Sequence, residues 1–184
     1  MRGGRKAVDT SNFETLIDTY GKSLYSFCRK LMSYSDEAND LYQQTFMRAF
    51  ELADKIDPDK NPRAFLFSIA VSIHKNQTRR FARQQRIAPR EDITDENADL
   101  LADYTDIEGD LLKGEQTKII REAVSKLKDP YKLTVVLFYS SGLSLIEIAA
   151  VCKAPQGTVK SRLHKARQLI KKELEAGGYV ENRR

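Results

Sequence analysis

Residues 144–167 read SLIEIAAVCKAPQGTVKSRLHKAR, and this stretch decides the fold class. Ser144 followed three residues later by Glu147 is the pattern of a capping box, which predicts a helix that runs to about Val151. A turn of about three residues follows, and a second helix is predicted to open at Pro155. Two helices joined by so short a turn, the second strongly basic, form the outline of a DNA-binding helix-turn-helix.

The second of these helices has an apolar face and a cationic face. Val159, Leu163, Ala166, Ile170 and Leu174 recur at helical spacing, so they are predicted to pack inward. The polar side chains around them can bind base edges or phosphates, and the start of the helix attracts phosphate through its backbone amides. The candidate DNA-binding residues of this helix are Thr158, Lys160, Ser161, Arg162, His164, Lys165 and Arg167.

The same periodicity predicts three longer helices in the first half of the chain. Apolar residues step by three and four over 13–31, with Ser11 as the predicted N-cap. A second helix is predicted to open after Ser35, and a third where Asn61 precedes Pro62. The inner stripe predicted for the second helix is Ala38, Leu41, Tyr42, Thr45, Phe46, Ala49 and Phe50.

Charge divides the chain into three parts. Residues 1–90 hold 16 Lys and Arg against 10 Asp and Glu, residues 91–114 hold one against nine, and residues 115–184 hold 14 against seven. Basic blocks on either side of an acidic one are typical of polyanion binding. The sequence therefore predicts an all-α chain with a domain over 10–90, a flexible acidic linker over 91–114 and a helix-turn-helix domain over 115–178.

Several other classes of protein are disfavoured. No apolar run reaches the roughly 18 residues of a membrane span, and the N-terminus lacks the apolar core of a signal peptide, so we expect a cytoplasmic chain without membrane insertion. Cys28 and Cys152 form no metal-ligand spacing with His74 or His164 and are predicted to be buried thiols. No carboxylate pairs with a His, a Cys or a phosphate loop, which predicts a chain that is not an enzyme and needs no cofactor, metal or small-molecule substrate.

Three motifs resemble one known family. Residues 142–149 and 155–167 are similar to the promoter-recognising domain of bacterial sigma factors, in particular those of the small extracytoplasmic-function group. Residues 40–46, DLYQQTF, resemble the helix with which that family grips the clamp of RNA polymerase. Residues 62–70, PRAFLFSIA, resemble the segment that melts and reads the proximal promoter element.

The resemblance implies roles for residues that would otherwise be ordinary helix surface or core. The implied polymerase-binding residues are Asp40, Leu41, Gln43, Gln44 and Phe46. The implied proximal-element residues are Phe67, Ser72, Lys75, Asn76, Arg79 and Arg80. Within the second set we expect Phe67 to stack on a flipped base near residues 57–61, while Phe65 mainly packs. Ser72 stands where related proteins often carry Asn, so the family's base preference does not transfer directly.

The implied function is transcription initiation, with core RNA polymerase and promoter DNA as partners and an anti-sigma factor as a further candidate. A dimeric helix-turn-helix regulator that binds its operator unaided is the alternative. It accounts for residues 158–167 and leaves the motifs at 40–46 and 62–70 without a role. Two interpretations of the acidic linker also stay open: a solvated tether, or a segment that enters the RNA-exit path of the polymerase and mimics RNA by its charge.

The linker interpretations differ in a measurable way. Changing Asp95, Glu96, Asp99 and Asp103 to Asn or Gln should impair initiation or early RNA synthesis more than promoter recognition if the linker mimics RNA. The effect should shrink as salt rises, because screening at about 0.15 M ionic strength acts over roughly 8 Å. In vitro transcription over a salt series measures this. Unaltered transcription at every salt concentration would support the interpretation of the linker as a simple tether.

Overall fold

The structure, a computed structural model, describes residues 10–52, 61–87 and 111–177, and every regular element in these ranges is helical, as predicted. In chain order the elements are α1 (Thr10–Leu31), α2 (Ser35–Glu51), α3 (Pro62–Ile87), α4 (Leu111–Ser125), α5 (Asp129–Val135), a π-helical segment (Val136–Ser140), α6 (Leu145–Cys152) and α7 (Gln156–Ala176). Helix α4 begins inside the range predicted as linker. The rest of that linker, and residues 57–60, lie outside the described residues.

Side-chain hydrogen bonds that the sequence signals predict are present at the starts of α6 and α3. The capping box at α6 is present: the Glu147 amide donates to Ser144 Oγ at 3.2 Å, and the Ser144 amide donates to Glu147 Oε2 at 2.8 Å. That second bond is the main reason why the pKa of Glu147 is lowered. Asn61 Oδ1 accepts from the Ala64 amide at 2.9 Å at the start of α3. The prediction for α1 was wrong, because the helix already includes Thr10 and Ser11 lies within its first turn.

Helices α1, α2 and α3 pack against one another around aromatic and aliphatic side chains. Phe27 on α1 meets Phe67 on α3 edge to face, with ring centroids 5.1 Å apart. Most of the predicted inner stripe of α2 is buried. Phe50 is the exception and corrects that prediction. Its ring is 59% exposed, although it meets Phe13 of α1 edge to face with ring centroids 5.3 Å apart, because this single contact near the end of α2 covers only part of it.

Helix α7 closes the second domain against α4, α5 and α6. Its predicted inner face is buried at Val159, Leu163 and Ala166. Between α5 and α6 the backbone widens into the π-helical segment, where the Ser141 amide donates to the Val136 carbonyl at 3.0 Å. Gly142 then takes a φ of +62°, a left-handed conformation that glycine adopts without a Cβ penalty. This turn redirects the chain into the helix-turn-helix.

The two halves of the chain share one apolar core. Helix α3 packs against α6, and α1 packs against the π-helical segment. Leu66 and Ala70 from α3 belong to the same buried cluster as Leu143, Ile148 and Val151 from the second domain. Burial of apolar area contributes roughly 25 cal/mol per Å². The hydrophobic effect therefore favours the packed arrangement over two halves that are joined only by the chain.

Polar contacts fix the register of this packing. Four of them join different residues across the boundary. Lys30 Nζ donates to Ser140 Oγ at 2.7 Å, and Asn61 Nδ2 donates to Glu147 Oε1 at 2.6 Å. Lys75 Nζ donates to the Cys152 carbonyl at 2.9 Å, and His74 Nε2 lies 3.0 Å from Asp129 Oδ2. Thr78 Oγ1 adds a bond to the same Asp129 oxygen at 3.3 Å.

Asp129 takes part in two of these contacts, those with His74 and Thr78. The hydrogen bond from His74 is the main cause that lowers the pKa of this carboxyl, with Thr78 and Lys132 acting in the same direction against burial. Burial lowers the pKa of Lys132, while the carboxylates of Asp129 and Glu37 oppose that shift. Because the folded pKa of Asp129 lies below its ordinary 3.8, its stabilising effect is complete at neutral pH and is lost only as the pH falls below that value.

The two cysteines are buried, as predicted, and burial raises the pKa of both thiols, that of Cys28 to about 12. Cys28 lies in the first domain, and Cys152 lies beside Lys75 at the domain contact. Within the described ranges, none of the helices combines the length and apolarity that crossing a bilayer requires.

The cysteines provide a probe of the domain contact. Asp129→Ala should leave the buried His74 without its partner, loosen α3 from the second domain, and raise the labelling rate of Cys152 by a thiol reagent several-fold. Cys28 should respond less, because it lies on α1, whereas Asp129 bonds to His74 and Thr78 on α3. Mass spectrometry resolves the two sites. Asp18→Ala, at an exposed position on α1, removes the same charge as a control. Equal Cys152 rates in the two variants would contradict the role given to Asp129.

Candidate nucleic-acid interface

The outer face of α7 presents the predicted cluster of polar and cationic side chains. Lys160, Ser161, His164 and Lys165 are exposed, and they lie on the side opposite the buried Val159 and its partners. Ser161 Oγ donates to the Thr158 carbonyl at 3.0 Å, which holds the hydroxyl close to the helix. Thr158 is half-buried. This face offers donors that can bind guanine edges and phosphates.

The turn before α7 sets the direction of that face. Lys153 ends α6 with φ 51° and ψ 51°, a left-handed conformation that costs a non-glycine residue roughly 1–2 kcal/mol. The amides of Lys153 and Ala154 donate to the Ala150 and Ala149 carbonyls at 3.2 and 3.0 Å, which satisfies the end of α6. The sequence lacks a glycine here, and these two bonds compensate for its absence.

Besides Ser161, two of the predicted α7 residues also have partners. Arg167 Nε donates to Tyr139 Oη at 2.7 Å, and its guanidinium lies 5.9 Å from the ring centroid of Phe138. This cation is therefore tied to the π-helical segment rather than free at the surface. His164 Nε2 lies 3.1 Å from Gln168 Nε2, so both side chains remain on the exposed face.

A groove of about 510 Å³, termed here the α5–α7 groove, adds residues that sequence reasoning missed. Its α7 side consists of the predicted Thr158, Ser161, Arg162 and Lys165. Its other side consists of Lys128, Pro130 and Tyr131, at the beginning of α5. In the sequence, Lys128 only appears as a lysine before the Asp-Pro start of a helix. That pattern does not show that the start of α5 lies next to α7 in space.

The proximal-element candidates divide by their position around α3. Ser72, Asn76, Arg79 and Arg83 are exposed and follow one another at intervals of four, three and four residues, which is one face of a helix. Arg83 had not been singled out by the sequence. Arg80 is exposed beside this stripe. Lys75 is half-buried and bonds to the Cys152 carbonyl, so it faces the second domain instead.

Phe67 requires a correction. Its ring is fully buried between Phe27 and the guanidinium of Arg63, which lies 5.8 Å from the ring centroid. A ring in that position cannot stack on a base, so the prediction of a stacking role does not fit this structure. Phe65 is half-buried. The aromatic ring of α3 that is open to solvent is Phe81, which is 60% exposed.

The polymerase-binding candidates on α2 divide in the same manner. Asp40, Gln43 and Gln44 are exposed, with Gln44 Oε1 accepting from Gln77 Nε2 at 3.4 Å. Leu41 and Phe46 are buried and belong to the core, which corrects their assignment to a contact surface. An exposed apolar side chain, Met47, lies beside these three polar residues and is 67% exposed. It follows Gln44 by three residues and Gln43 by four, which places it on the same helix face. Its exposure could not be told from the apolar pattern alone.

No metal site emerges from the part of the chain that the structure describes, where no three His, Cys, Asp or Glu side chains are grouped to hold an ion. The chemistry offered by the exposed faces is hydrogen bonding and charge, directed outward from α2, α3 and α7.

Comparison with known proteins assigns both domains. The Sigma-70 region 2 family matches residues 16–87, and the Sigma-70 region 4 family matches residues 117–170. The chain is 30% identical over 173 residues to the ECF RNA polymerase sigma factor SigW of Bacillus subtilis strain 168, with 92% of each chain covered. It is 28% identical to the RNA polymerase sigma-H factor of Pseudomonas aeruginosa, over 95% of this chain and 90% of that protein.

Solved structures agree with these matches. The sigma factor RpoE of Bartonella quintana, crystallised with the anti-sigma factor NepR, superposes with a TM-score of 0.76 at 26% identity and covers 90% of this chain and 98% of its own. CnrH, solved with the cytosolic domain of CnrY, gives a TM-score of 0.65 at 22% identity, over 91% of this chain and 90% of its own, and supports the fold alone.

The corrected position of Phe67 predicts a stability defect. Phe67→Ala should lower the free energy of unfolding by about 3–5 kcal/mol, because it removes a buried ring from a packed core. Urea denaturation followed by circular dichroism measures this change. Phe81→Ala, the same substitution at an exposed site on the same helix, should shift it by no more than about 0.5 kcal/mol. Equal shifts for the two variants would show that Phe67 is not a core residue in solution.

Proposed function

The chain belongs to the extracytoplasmic-function group of the sigma-70 family and acts as a transcription initiation factor that directs RNA polymerase to promoters. From this premise, we propose which helix face binds each partner. The exposed polar residues of α2 bind core polymerase. The exposed stripe of α3 holds the melted strand of the proximal element. The outer face of α7 reads the distal element as duplex DNA. Each step is binding without covalent chemistry.

The observation that carries this division is the presence of separate polar faces on different helices. On α3 the stripe combines the amide of Asn76 with the guanidinium groups of Arg79 and Arg83, which suits the backbone and bases of an open strand. On α7 Lys160 and Ser161 are exposed on one helix and offer hydrogen-bond donors, which suits the major groove. One chain thus has the means to bind DNA in two forms.

The dimeric regulator is the weaker alternative. It would need the α7 face and a second copy of the chain, and it gives no role to Asp40, Gln43 and Gln44 on α2. The Sigma-70 region 2 family matches residues 16–87, which such a regulator leaves without a function. We therefore favour a polymerase subunit, acting in the cytoplasm where the transcription machinery lies.

An anti-sigma factor is a further proposed partner. The RpoE and CnrH structures each contain a second protein, NepR or the cytosolic domain of CnrY, bound to a fold of this kind. Support for a similar partner here is the likeness of the fold over about nine-tenths of the chain. Co-purification of the tagged chain from cells, before and after stress, identifies any such partner.

Binding to core polymerase without DNA tests the proposal directly. The purified chain should bind core enzyme with one chain per enzyme in size-exclusion chromatography, and the complex should protect and open specific promoters selected from genomic fragments. A dimeric regulator would instead bind duplex DNA alone and ignore the core enzyme. That second pattern would overturn the proposed function.

The α2 face yields a residue-level prediction. Asp40→Ala with Gln43→Ala should weaken binding to core polymerase by about tenfold or more, since hot-spot losses at interfaces exceed 1–2 kcal/mol. Helicity and the thermal melt should stay unchanged, because both side chains are exposed. Asp18→Ala on α1 serves as the charge-matched control. A sharp drop in the melt would mean that the pair is structural and contributes to folding rather than to the contact.

A further inference from the structure

The α5–α7 groove concentrates positive charge without a counter-ion. Lys128 lies on its α5 side, and Arg162 and Lys165 lie on its α7 side. The other lining residues are Pro130, Tyr131, Thr158 and Ser161, so no carboxylate lines the groove. Like charges that share a groove repel one another, and an anion placed between them relieves that repulsion.

The acidic residue next to Lys128 in the chain is directed elsewhere. Asp129 follows Lys128 in the chain, and its Oδ2 lies 3.0 Å from His74 Nε2 and accepts from Thr78 on α3. Its charge is therefore used at the domain contact and not to neutralise the groove. Lys128 itself is exposed and makes no ion pair within the described residues. Its ammonium group is free to meet a ligand from solution.

The position of Lys128 identifies the kind of anion. The residue lies across the groove from Ser161 and Lys165, which belong to the outer face of α7. A helix inserted into a major groove has a sugar-phosphate backbone on each side of it. A cation that lies beside such a helix on a different element is therefore close to a backbone phosphate and not to a base edge.

We propose that Lys128 binds a backbone phosphate of the distal-element duplex, with Arg162 on the opposite wall of the α5–α7 groove. This proposal rests on the function proposed above and adds a DNA contact from outside the helix-turn-helix. Lys128 sets the register of α7 on the duplex, and the bases are read by the α7 side chains. Tyr131 and Pro130 form the apolar wall that keeps the turn in place, since Tyr131 packs on the core of the second domain.

The test measures the salt dependence of promoter binding by the complete holoenzyme. The DNA is a duplex promoter selected with the wild-type protein, and affinity is measured between about 50 and 200 mM salt. Loss of one phosphate contact lowers the slope of log K against log salt by about 0.9. The wild-type affinity should therefore fall about 3.5-fold further across this range than that of Lys128→Gln. Lys128→Arg, which keeps the charge, should restore the slope.

Matched variants separate this role from others. Lys172→Gln, exposed near the end of α7 and outside the groove, removes the same charge and should keep the wild-type slope. Lys128→Gln should weaken binding by the same factor on every single-base variant of the distal element. Lys160→Ala should instead weaken binding in a way that depends on the base at one position of the element. Identical slopes for Lys128→Gln and Lys172→Gln would overturn the proposal, and so would a loss restricted to one base.

A third result points to a different partner. If Lys128→Gln weakens binding to core polymerase without DNA, the residue contacts the enzyme, and the phosphate contact is refuted. A failure of the proposed function is distinguishable from all of these outcomes. In that case the wild-type chain itself binds no core polymerase, and the comparison of slopes is never reached.

Discussion

Helix α3 is buried on two sides, and the arrangement of the whole chain depends on this. One side meets α1 and α2, where Phe67 packs against Phe27, and another meets α6 of the second domain. Over residues 66–77, where the helix is covered in this way, only Ser72 and Asn76 are exposed, whereas residues 78–84 are exposed on every side. In the covered part, the same packing that stabilises the fold selects which side chains of α3 can reach a ligand.

Signals confined to a few neighbouring residues could be read from the sequence. The Ser144–Glu147 capping box, the inward face of α7 at Val159 and Leu163, and the start of α3 after Asn61 are all present in the structure. Each of these features depends on contacts within one helix or on hydrophobic periodicity. Both kinds of signal come from residues that are close together in the sequence. The fold class and the helix-turn-helix followed from these signals and from the resemblance to a family.

Contacts between distant parts of the chain could not be read in that way. Periodicity placed Leu41, Phe46 and Phe50 on one stripe of α2, but only the position of α1 decides that Phe50 emerges from the core. Phe65 and Phe67 are two residues apart, and the ring of Phe27, contributed by another helix, determines which is fully covered. Arg167 looked free in the sequence because Tyr139, its partner, is 28 residues away.

The bond from Lys75 to the Cys152 carbonyl makes this ammonium group part of the contact between the domains. Any ligand of the Lys75 ammonium must first displace that carbonyl, so its affinity includes the free energy of breaking this hydrogen bond. If only a fraction of free chains is separated, the apparent dissociation constant rises by the inverse of that fraction. Linkage is reciprocal, so two ligands that both prefer the separated chain strengthen each other's binding by the same factor.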